Sequence, residues 1–270
     1  DTLWWGQATA EPLTLTRALV EHRLALAQGG RLRVFVGIGA SDTLQPEQAD
    51  VIDFFGYAAG GPHRRLAEAG VLDILPSHYS HLPGLIHAGV LPADVVLLQV
   101  SPPDDQGRYS LGLAQEYLPA ALEQARVVIG EVNPAIPWTH GGVHLQARDF
   151  ALLIDAEHPP LEQGRAAPGP VEQAIARHVA ALIEDGATLQ LGIGNLPEAV
   201  LAALHGHRDL GLHSGAVGDG IAALAEAGVL TNAKKSLDNG MGIGGILMGS
   251  EKVRRWAHRN PQFALRGTDY

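Results

Sequence analysis

The chain has 270 residues, of which 46% are hydrophobic and 18% are charged, so it is able to bury a core and is not a disordered chain. Its formal charge of -10 at pH 7 leaves no basic surface for a phosphate backbone, which excludes nucleic acid as an expected partner. The lack of cysteine excludes disulfides and Cys-ligated metal centres, and no apolar run is long enough to cross a bilayer, which excludes a membrane partner.

The first 156 residues alternate between helical and strand patterns. Apolar residues recur at helical spacing from Leu13 to Leu26, and β-rich apolar runs cover residues 32–38, 94–100 and 125–129. Such alternation predicts βαβ units. We therefore expect an α/β fold with two related, open, mostly parallel domains.

A proline-rich segment separates this half from the next. Residues 157–170, EHPPLEQGRAAPGP, contain four prolines and no hydrophobic period, which predicts a linker. Helical spacing resumes from Val171 to Ile183 and is followed by a predicted strand over residues 187–191. The sequence thus predicts an N-terminal domain at 1–156, a linker at 157–170, and a second, incomplete domain at 171–270.

The two halves share local patterns. A predicted strand, a glycine turn and a helix follow one another at residues 1–19 and again at 187–204, and the heptapeptide LAEAGVL occurs at 66–72 and at 224–230. Such self-similarity indicates duplicated domains. A helix that ends with glycine at the C′ position also explains the AEAG segments by itself.

The clearest chemical feature is the glycine turn after the predicted strand at 187–191. Its residues are Gly192, Ile193, Gly194, Asn195 and Leu196. Glycines at the start of a helix let a phosphate, carboxylate or thioester oxygen approach backbone N–H groups, so these five residues are the predicted cofactor-binding site. The alternative is a tight connection without a ligand. The GxGxxP spacing departs from the GxGxxG of nicotinamide-binding folds.

Titratable residues occur after other predicted strands and before a second glycine-rich segment. Glu131 is either a site acid or a partner for a helix N-terminus, and His78 also follows a predicted strand. Lys234 and Lys235, before the glycine-rich run at 240–249, either face phosphates or lie exposed. The histidines include no HExxH pattern, so no metal is expected, and the GxSxG elbow of serine hydrolases is missing.

Several motifs together resemble one family. The segments GIGNLPEAVLAAL, DLGLHSGAVGDG, AEAGVLTNAKK, EVNPAIPWTHG and ILMGS with a following HRNP resemble the acetyl-CoA hydrolase/transferase family of coenzyme A transferases, nearest in pattern to 4-hydroxybutyrate CoA-transferases. The resemblance runs along the whole chain. It implies two related α/β domains, coenzyme A or acyl-CoA as substrate, no metal and a homo-oligomer. Family members continue beyond the equivalent of Tyr270, which implies that this chain is a fragment.

The same resemblance implies a nucleophilic glutamate where this chain has glycine. In the family, a glutamate directly after His-Ser or His-Thr attacks acyl-CoA and forms a mixed anhydride and then a glutamyl-CoA thioester. This chain reads His213-Ser214-Gly215, so Gly215 occupies the catalytic position without a side chain. Three alternatives follow. Asp219 or Glu131 supplies the carboxylate, water attacks the thioester, or the protein binds CoA without turnover.

These observations predict a cytoplasmic enzyme whose partners are small molecules. It would transfer CoA from a short-chain acyl-CoA, such as acetyl-CoA, to a carboxylate, or hydrolyse the thioester. The alternatives are a catalytically deficient protein that binds CoA or acyl-CoA, and a sugar-phosphate isomerase-like α/β enzyme.

Overall fold

The computed structural model describes residues 1–163 and 167–270, and these residues form two compact units. The first unit comprises Asp1–Trp138, Val143–Leu161 and Gly267–Tyr270. The second comprises Thr139–Gly142 and the described part of Glu162–Arg266. The predicted linker at 157–170 includes residues 164–166, which lie outside the described residues.

The first unit contains nine strands and five α-helices among its described residues. The strands are β1 (Thr2–Trp5), β2 (Leu32–Phe35), β3 (Ile52–Gly56), β4 (Leu72–Ile74), β5 (Val95–Val100), β6 (Arg108–Ser110), β7 (Val127–Val132), β8 (His144–Gln146) and β9 (Leu152–Asp155). The α-helices are α1 (Leu13–Glu21), α2 (Arg23–Leu26), α3 (Arg64–Glu68), α4 (Leu82–His87) and α5 (Leu118–Gln124). Short 3₁₀ helices cover Ala8–Ala10, Ala27–Gly29, Pro46–Asp50, Gly61–His63, Tyr79–His81 and Ala147–Asp149.

Seven of these strands form one parallel sheet in the order β4-β3-β2-β1-β5-β7-β9, while β6 and β8 pair antiparallel. The chain first builds outward from β1 to β4, then returns to place β5 on the other side of β1. The order of strands therefore reverses between β1 and β5. In open α/β sheets, ligands bind beyond the carboxyl ends of the strands at such a reversal.

The core beside this reversal is aromatic. Trp4 is fully buried and stacks on Phe35 at a centroid distance of 3.8 Å, while its Nε1 donates to the carbonyl of Pro92 at 2.9 Å. Tyr117 packs edge-on against Trp4, and its hydroxyl donates to the carbonyl of Trp5 at 2.9 Å. These contacts anchor the segment before α5 to the end of β1, because a buried ring with a bonded polar tip has little freedom to move.

The second unit carries a smaller parallel sheet. Its strands are β10 (Thr188–Leu189), β11 (Gly211–Val217), β12 (Gly242–Leu247) and β13 (Phe263–Leu265), paired in the order β10-β11-β12-β13. Its helices are α6 (Pro170–Ala180), α7 (Asn195–Ala203), α8 (Asp219–Glu226) and α9 (Glu251–Ala257). Both large sheets are open and parallel, so the expected α/β fold class is confirmed.

Two local expectations need adjustment. The helical pattern from Leu13 to Leu26 is divided at His22, whose φ of -99° and ψ of 10° end α1 before α2 begins. The strand expected at 187–191 is only two residues long and ends at Leu189. Across the described residues, none of the helices combines the length and the apolar character needed to cross a membrane.

The repeated heptapeptide has the same structure in both units. Gly70 and Gly228 each follow a helix with a φ of +71°, a left-handed conformation that favours glycine. The N–H of each glycine donates to the carbonyl three residues before it at 3.0 Å, and the following valine donates to the carbonyl of a leucine at 3.0 Å. The predicted glycine at C′ is confirmed at both helix ends.

Candidate functional site

The predicted glycine turn lies at the carboxyl end of β10 and leads into α7. Gly192 and Asn195 are exposed, and the side chains of Ile193 and Leu196 have exposed fractions of 47% and 38%. Gly194 has a φ of +134°, which a residue with a Cβ rarely adopts, and it precedes the first residue of α7. Gly194 is half-buried, and the other four residues of the turn are exposed at the start of a helix, where anions and oxyanions are favoured.

A buried serine ties this turn to the neighbouring strand. Ser214 lies in β11 with an exposed fraction of 3%, and its Oγ accepts the N–H of Leu191 at 3.0 Å. The same hydroxyl donates to the carbonyl of Ala216 at 2.8 Å. Ser214 is recognisable from the sequence only as part of the His-Ser motif. Its role in holding the turn depends on strand pairing, which the motif does not reveal.

Gly215 follows Ser214 in β11 and is exposed. A Cβ built on Gly215 meets no atom within 4 Å, so this position has room for a side chain. The register of β11 and β12 places Gly215 opposite Gly245, where a Cβ would lie 2.9 Å from the carbonyl oxygen of Gly215. The strand position expected to carry the nucleophile is thus open, while its neighbour on β12 has no space.

The two candidate acids for the missing glutamate contact backbone N–H groups. Asp219 begins α8, and its carboxylate accepts from Ser250 N at 3.1 Å and from Val253 N at 3.0 Å, at the start of α9. Glu131 lies in β7 of the first unit, and its Oε2 accepts from Thr14 N at 2.8 Å, at the start of α1. Burial raises the pKa of Glu131, and the N–H groups of α1 oppose that rise.

Another acid of the second unit joins two helix starts. Glu198, in the first turn of α7, accepts the N–H of Gly220 at 3.1 Å through Oε2. Since Asp219 connects α8 to α9 in the same way, carboxylates link the N-termini of three consecutive helices beside the glycine turn. Carboxylates at these positions complement the partial positive charge of each helix start.

The remaining candidates have different surroundings. Lys235 is 5% exposed, and its Nζ donates to the carbonyls of Leu212 at 2.8 Å and Met241 at 2.7 Å, so it is neither exposed nor available to a phosphate. Burial lowers the pKa of Lys235. His78 is exposed, and its ring lies 5.2 Å from that of His81. Across residues 1–163 and 167–270, no three His, Asp or Glu side chains are arranged to hold a metal ion.

A polar cluster of the first unit, with two buried and two half-buried members, is not predicted from the sequence. It consists of Gln7, Tyr57, Tyr79 and Glu116. Gln7 Nε2 donates to Glu116 Oε1 at 2.7 Å and to the hydroxyl of Tyr79 at 3.0 Å, and the Tyr79 hydroxyl donates to the same carboxyl oxygen. Burial raises the pKa of Glu116 to about 7. The four residues are far apart in the chain and occur in no common motif.

Comparisons with known proteins agree with the fold. Residues 1–154 match the family model described as the acetyl-CoA hydrolase/transferase N-terminal domain. The chain is 36% identical to the 4-hydroxybutyrate coenzyme A transferase of Clostridium kluyveri, with 98% of this chain and 62% of that protein covered. It is 31% identical to the butyryl-CoA:acetate CoA-transferase of Anaerostipes caccae, with 97% of this chain and 60% of that protein covered.

Two solved structures are similar to this protein along its whole chain. The crystal structure of RipA from Yersinia pestis has a TM-score of 0.92 at 28% identity and covers 100% of this chain and 65% of that one. The crystal structure of 4-hydroxybutyrate CoA-transferase from Porphyromonas gingivalis has a TM-score of 0.79 at 29% identity, with 100% and 64% covered. The chain spans less than two thirds of the length of each of these four relatives.

Proposed function

Because the chain belongs to the acetyl-CoA hydrolase/transferase family, we propose that it binds short-chain acyl-CoA thioesters such as acetyl-CoA. We propose further that it cleaves the thioester, either as an acyl-CoA hydrolase or as an acyl-CoA:carboxylate CoA-transferase. Acyl-CoA and a small carboxylate are its proposed partners. Relatives named as transferases of 4-hydroxybutyrate and of butyryl-CoA and acetate support this class of substrate.

The proposal depends on the glycine turn and its neighbouring strand in the second unit. Ser214, beside Gly215 in β11, accepts the N–H of Leu191, the residue directly before the largely exposed turn Gly192–Leu196. Backbone N–H groups at a helix start suit an oxygen that is negative or becomes negative, as a thioester carbonyl does under attack. The open space at Gly215 lies one residue from the serine that fixes this turn.

The missing side chain of Gly215 favours hydrolysis over the glutamyl route. Asp219 and Glu131 contact backbone N–H groups at helix starts, so neither carboxylate is free to approach a carbonyl carbon without releasing them. Water is then the simplest nucleophile. Its oxygen bonds to the acyl carbon, the carbon–sulfur bond breaks, and the products are a carboxylic acid and the thiol of CoA.

A second candidate is a protein that binds CoA or acyl-CoA without turnover. The observation that favours it is the same glycine, since a strand position without a side chain supplies neither a nucleophile nor a base. The two candidates differ in what remains after incubation with acetyl-CoA. Cleavage releases free CoA, whereas binding alone leaves the thioester intact.

The experiment is mass spectrometry of the protein and of the small molecules after incubation with acetyl-CoA. We expect release of CoA without a covalent adduct, and binding without release would support the second candidate. A Gly215→Glu variant is expected to gain a glutamyl-CoA adduct, because the built Cβ is unobstructed. Gly215→Gln is the matched control, since it has the same size without a carboxylate. If calorimetry detects no acetyl-CoA binding, the proposal fails.

The assembly and the domain limits of the chain are also proposals. We propose a cytoplasmic homo-oligomer, and light scattering of the purified protein tests whether its mass exceeds the 28.5 kDa of one chain. The proposed domains are residues 1–156 and 171–270, joined by a linker. Limited proteolysis tests this division, since cleavage is expected first within 157–170.

A further inference from the structure

The helix α6 of the second unit has an exposed apolar face that the proposed function does not use. Four large apolar side chains of this face are exposed, and they are Val171 at 68%, Ile175 at 40%, Val179 at 36% and Leu182 at 83%. Leu182 lies just beyond the end of α6, where its N–H donates to the carbonyl of Val179 at 3.0 Å and continues the turn. We call these four residues the α6 stripe. Exposed apolar side chains that share one face mark interaction surfaces.

The spacing of the α6 stripe puts its residues on one side of the helix. At 3.6 residues per turn, the four positions lie within about 80° of the helix circumference. The buried residues of α6, Ala176 and Ala180, extend the apolar surface to about 180°. An apolar face of roughly 100° suffices for a helix that covers one core. Since α6 already packs against α7, the stripe is left for a second packing partner.

The α6 stripe is complementary to itself. Val171 and Leu182 lie at its two ends, and Ile175 and Val179 lie between them at nearly equal distances from the centre. When two copies of α6 pack antiparallel, Val171 of one copy therefore lies opposite Leu182 of the other, and Ile175 lies opposite Val179. A two-fold dimer makes each of these contacts twice, because both copies use the same surface.

The charges at the ends of the stripe favour the antiparallel direction. Glu184 and Asp185 are exposed and follow Leu182 closely in the chain. A parallel pair would bring these acids of the two copies together. In an antiparallel pair they lie near the first turn of the other α6, where backbone N–H groups carry partial positive charge and the N-cap Gly169 has no side chain. Glu172 is the acid of that first turn, and it is half-buried beside the stripe.

We propose that the α6 stripe is a dimer interface, in which two copies of this chain pack their α6 helices antiparallel about a two-fold axis. This goes beyond the proposed homo-oligomer because it names the surface, and it does not depend on thioester chemistry. One helix of 11 residues per copy offers less area than the roughly 800 Å² per partner of a standard stable interface. The dimer is therefore expected to dissociate on dilution.

Analytical ultracentrifugation of the full chain over a dilution series is the first test. We expect the mass to fall from twice 28.5 kDa toward 28.5 kDa as the protein is diluted. Ile175→Glu places a charge in the stripe twice per dimer, and it is expected to weaken association at least about tenfold. Leu237→Glu is the matched control, because Leu237 is 69% exposed in the same unit but lies outside the stripe. Its association is expected to equal that of the wild type.

Disulfide trapping tests the direction of packing, since the chain has no cysteine of its own. In the double variant Val171→Cys/Leu182→Cys, each new thiol is expected to lie opposite the other position of the second copy. Oxidation is then expected to give a covalent dimer. Each single variant is expected to stay uncrosslinked, because its two identical cysteines lie about 16 Å apart along the antiparallel helices.

The outcomes are distinct. A wild type that keeps the mass of one chain at every concentration overturns both this inference and the proposed homo-oligomer. A dimer that persists unchanged in Ile175→Glu, shown to be folded by circular dichroism, places association on another surface and overturns this inference alone. Crosslinking of the single variants would show a parallel pair and overturn the antiparallel arrangement.

Discussion

The hydroxyl of Ser214 accepts the N–H of Leu191 at 3.0 Å, so a buried residue of β11 holds the residue directly before the glycine turn. Ser214 is also the residue before Gly215. One hydroxyl group therefore links the segment that enters the turn proposed to bind acyl-CoA to the strand that carries the open position.

Replacing Ser214 with alanine is expected to weaken acetyl-CoA binding and to cost about 1 kcal/mol of stability, since a buried hydrogen bond is lost. Calorimetry measures the affinity and urea unfolding measures the stability. Ser250→Ala is the matched control, because Ser250 accepts from Lys252 N as the N-cap of α9 and its loss costs about 1 kcal/mol. Equal losses of affinity in both variants would contradict the role given to Ser214.

Alanine at Gly215 and at Gly244 is expected to have different effects on stability. Gly215 has open space and Gly215→Ala is expected to change the free energy of unfolding by less than about 0.5 kcal/mol. At Gly244 a Cβ would lie 2.7 Å from Cγ2 of Val217 and 2.9 Å from the ring of Phe263. Overpacking there is expected to cost about 1–3 kcal/mol. Urea unfolding of both variants checks the ranking, and a larger loss at Gly215 would refute it.

Asp219→Asn separates a structural role from a catalytic one. The carboxylate accepts backbone N–H groups of Ser250 and Val253, so the substitution is expected to lower the stability by roughly 1–2 kcal/mol. We expect the rate of acetyl-CoA cleavage per folded molecule to stay the same. A rate that falls by orders of magnitude in a folded variant would instead identify Asp219 as the nucleophile.

Because Glu116 titrates, the stability of the protein is expected to fall as the pH rises toward 7. Its pKa is about 7 in the folded chain and close to the ordinary 4.5 in the unfolded chain. As the pH rises, Glu116 therefore loses its proton first in the unfolded state. The contribution of Glu116 to the free energy of unfolding is complete below pH 4.5, and it declines until Glu116 also ionises in the folded state near pH 7. The difference between the two pKa values corresponds to a loss of roughly 3 kcal/mol in the free energy of unfolding.

Urea unfolding of the wild type and of Glu116→Gln across this pH range measures the effect. The wild type is expected to lose stability relative to the variant as the pH rises, because glutamine does not titrate. Parallel curves for the two proteins would show that Glu116 does not carry the change.

The sequence was sufficient for the fold class and for the local elements. The β-rich runs at 32–38 and 94–100 contain β2 and β5, and the run at 125–129 covers the first half of β7, because buried parallel strands are largely continuous apolar runs. The glycine turn at 192–196 is also visible in the sequence, since a strand, two glycines and a helix start are neighbours in the chain. The family resemblance depended on the same short-range patterns, and the family is confirmed.

Only the tertiary structure brought together Gln7, Tyr57, Tyr79 and Glu116, and only it placed Ser214 against Leu191. Hydrophobic periodicity shows which face of a strand is buried, but it does not show which strands are neighbours. In a parallel sheet, crossover connections separate neighbouring strands by many residues, and their carboxyl ends meet at one edge. The hydrogen bond between Gln7 and Glu116 joins residues 109 positions apart, which no local pattern encodes.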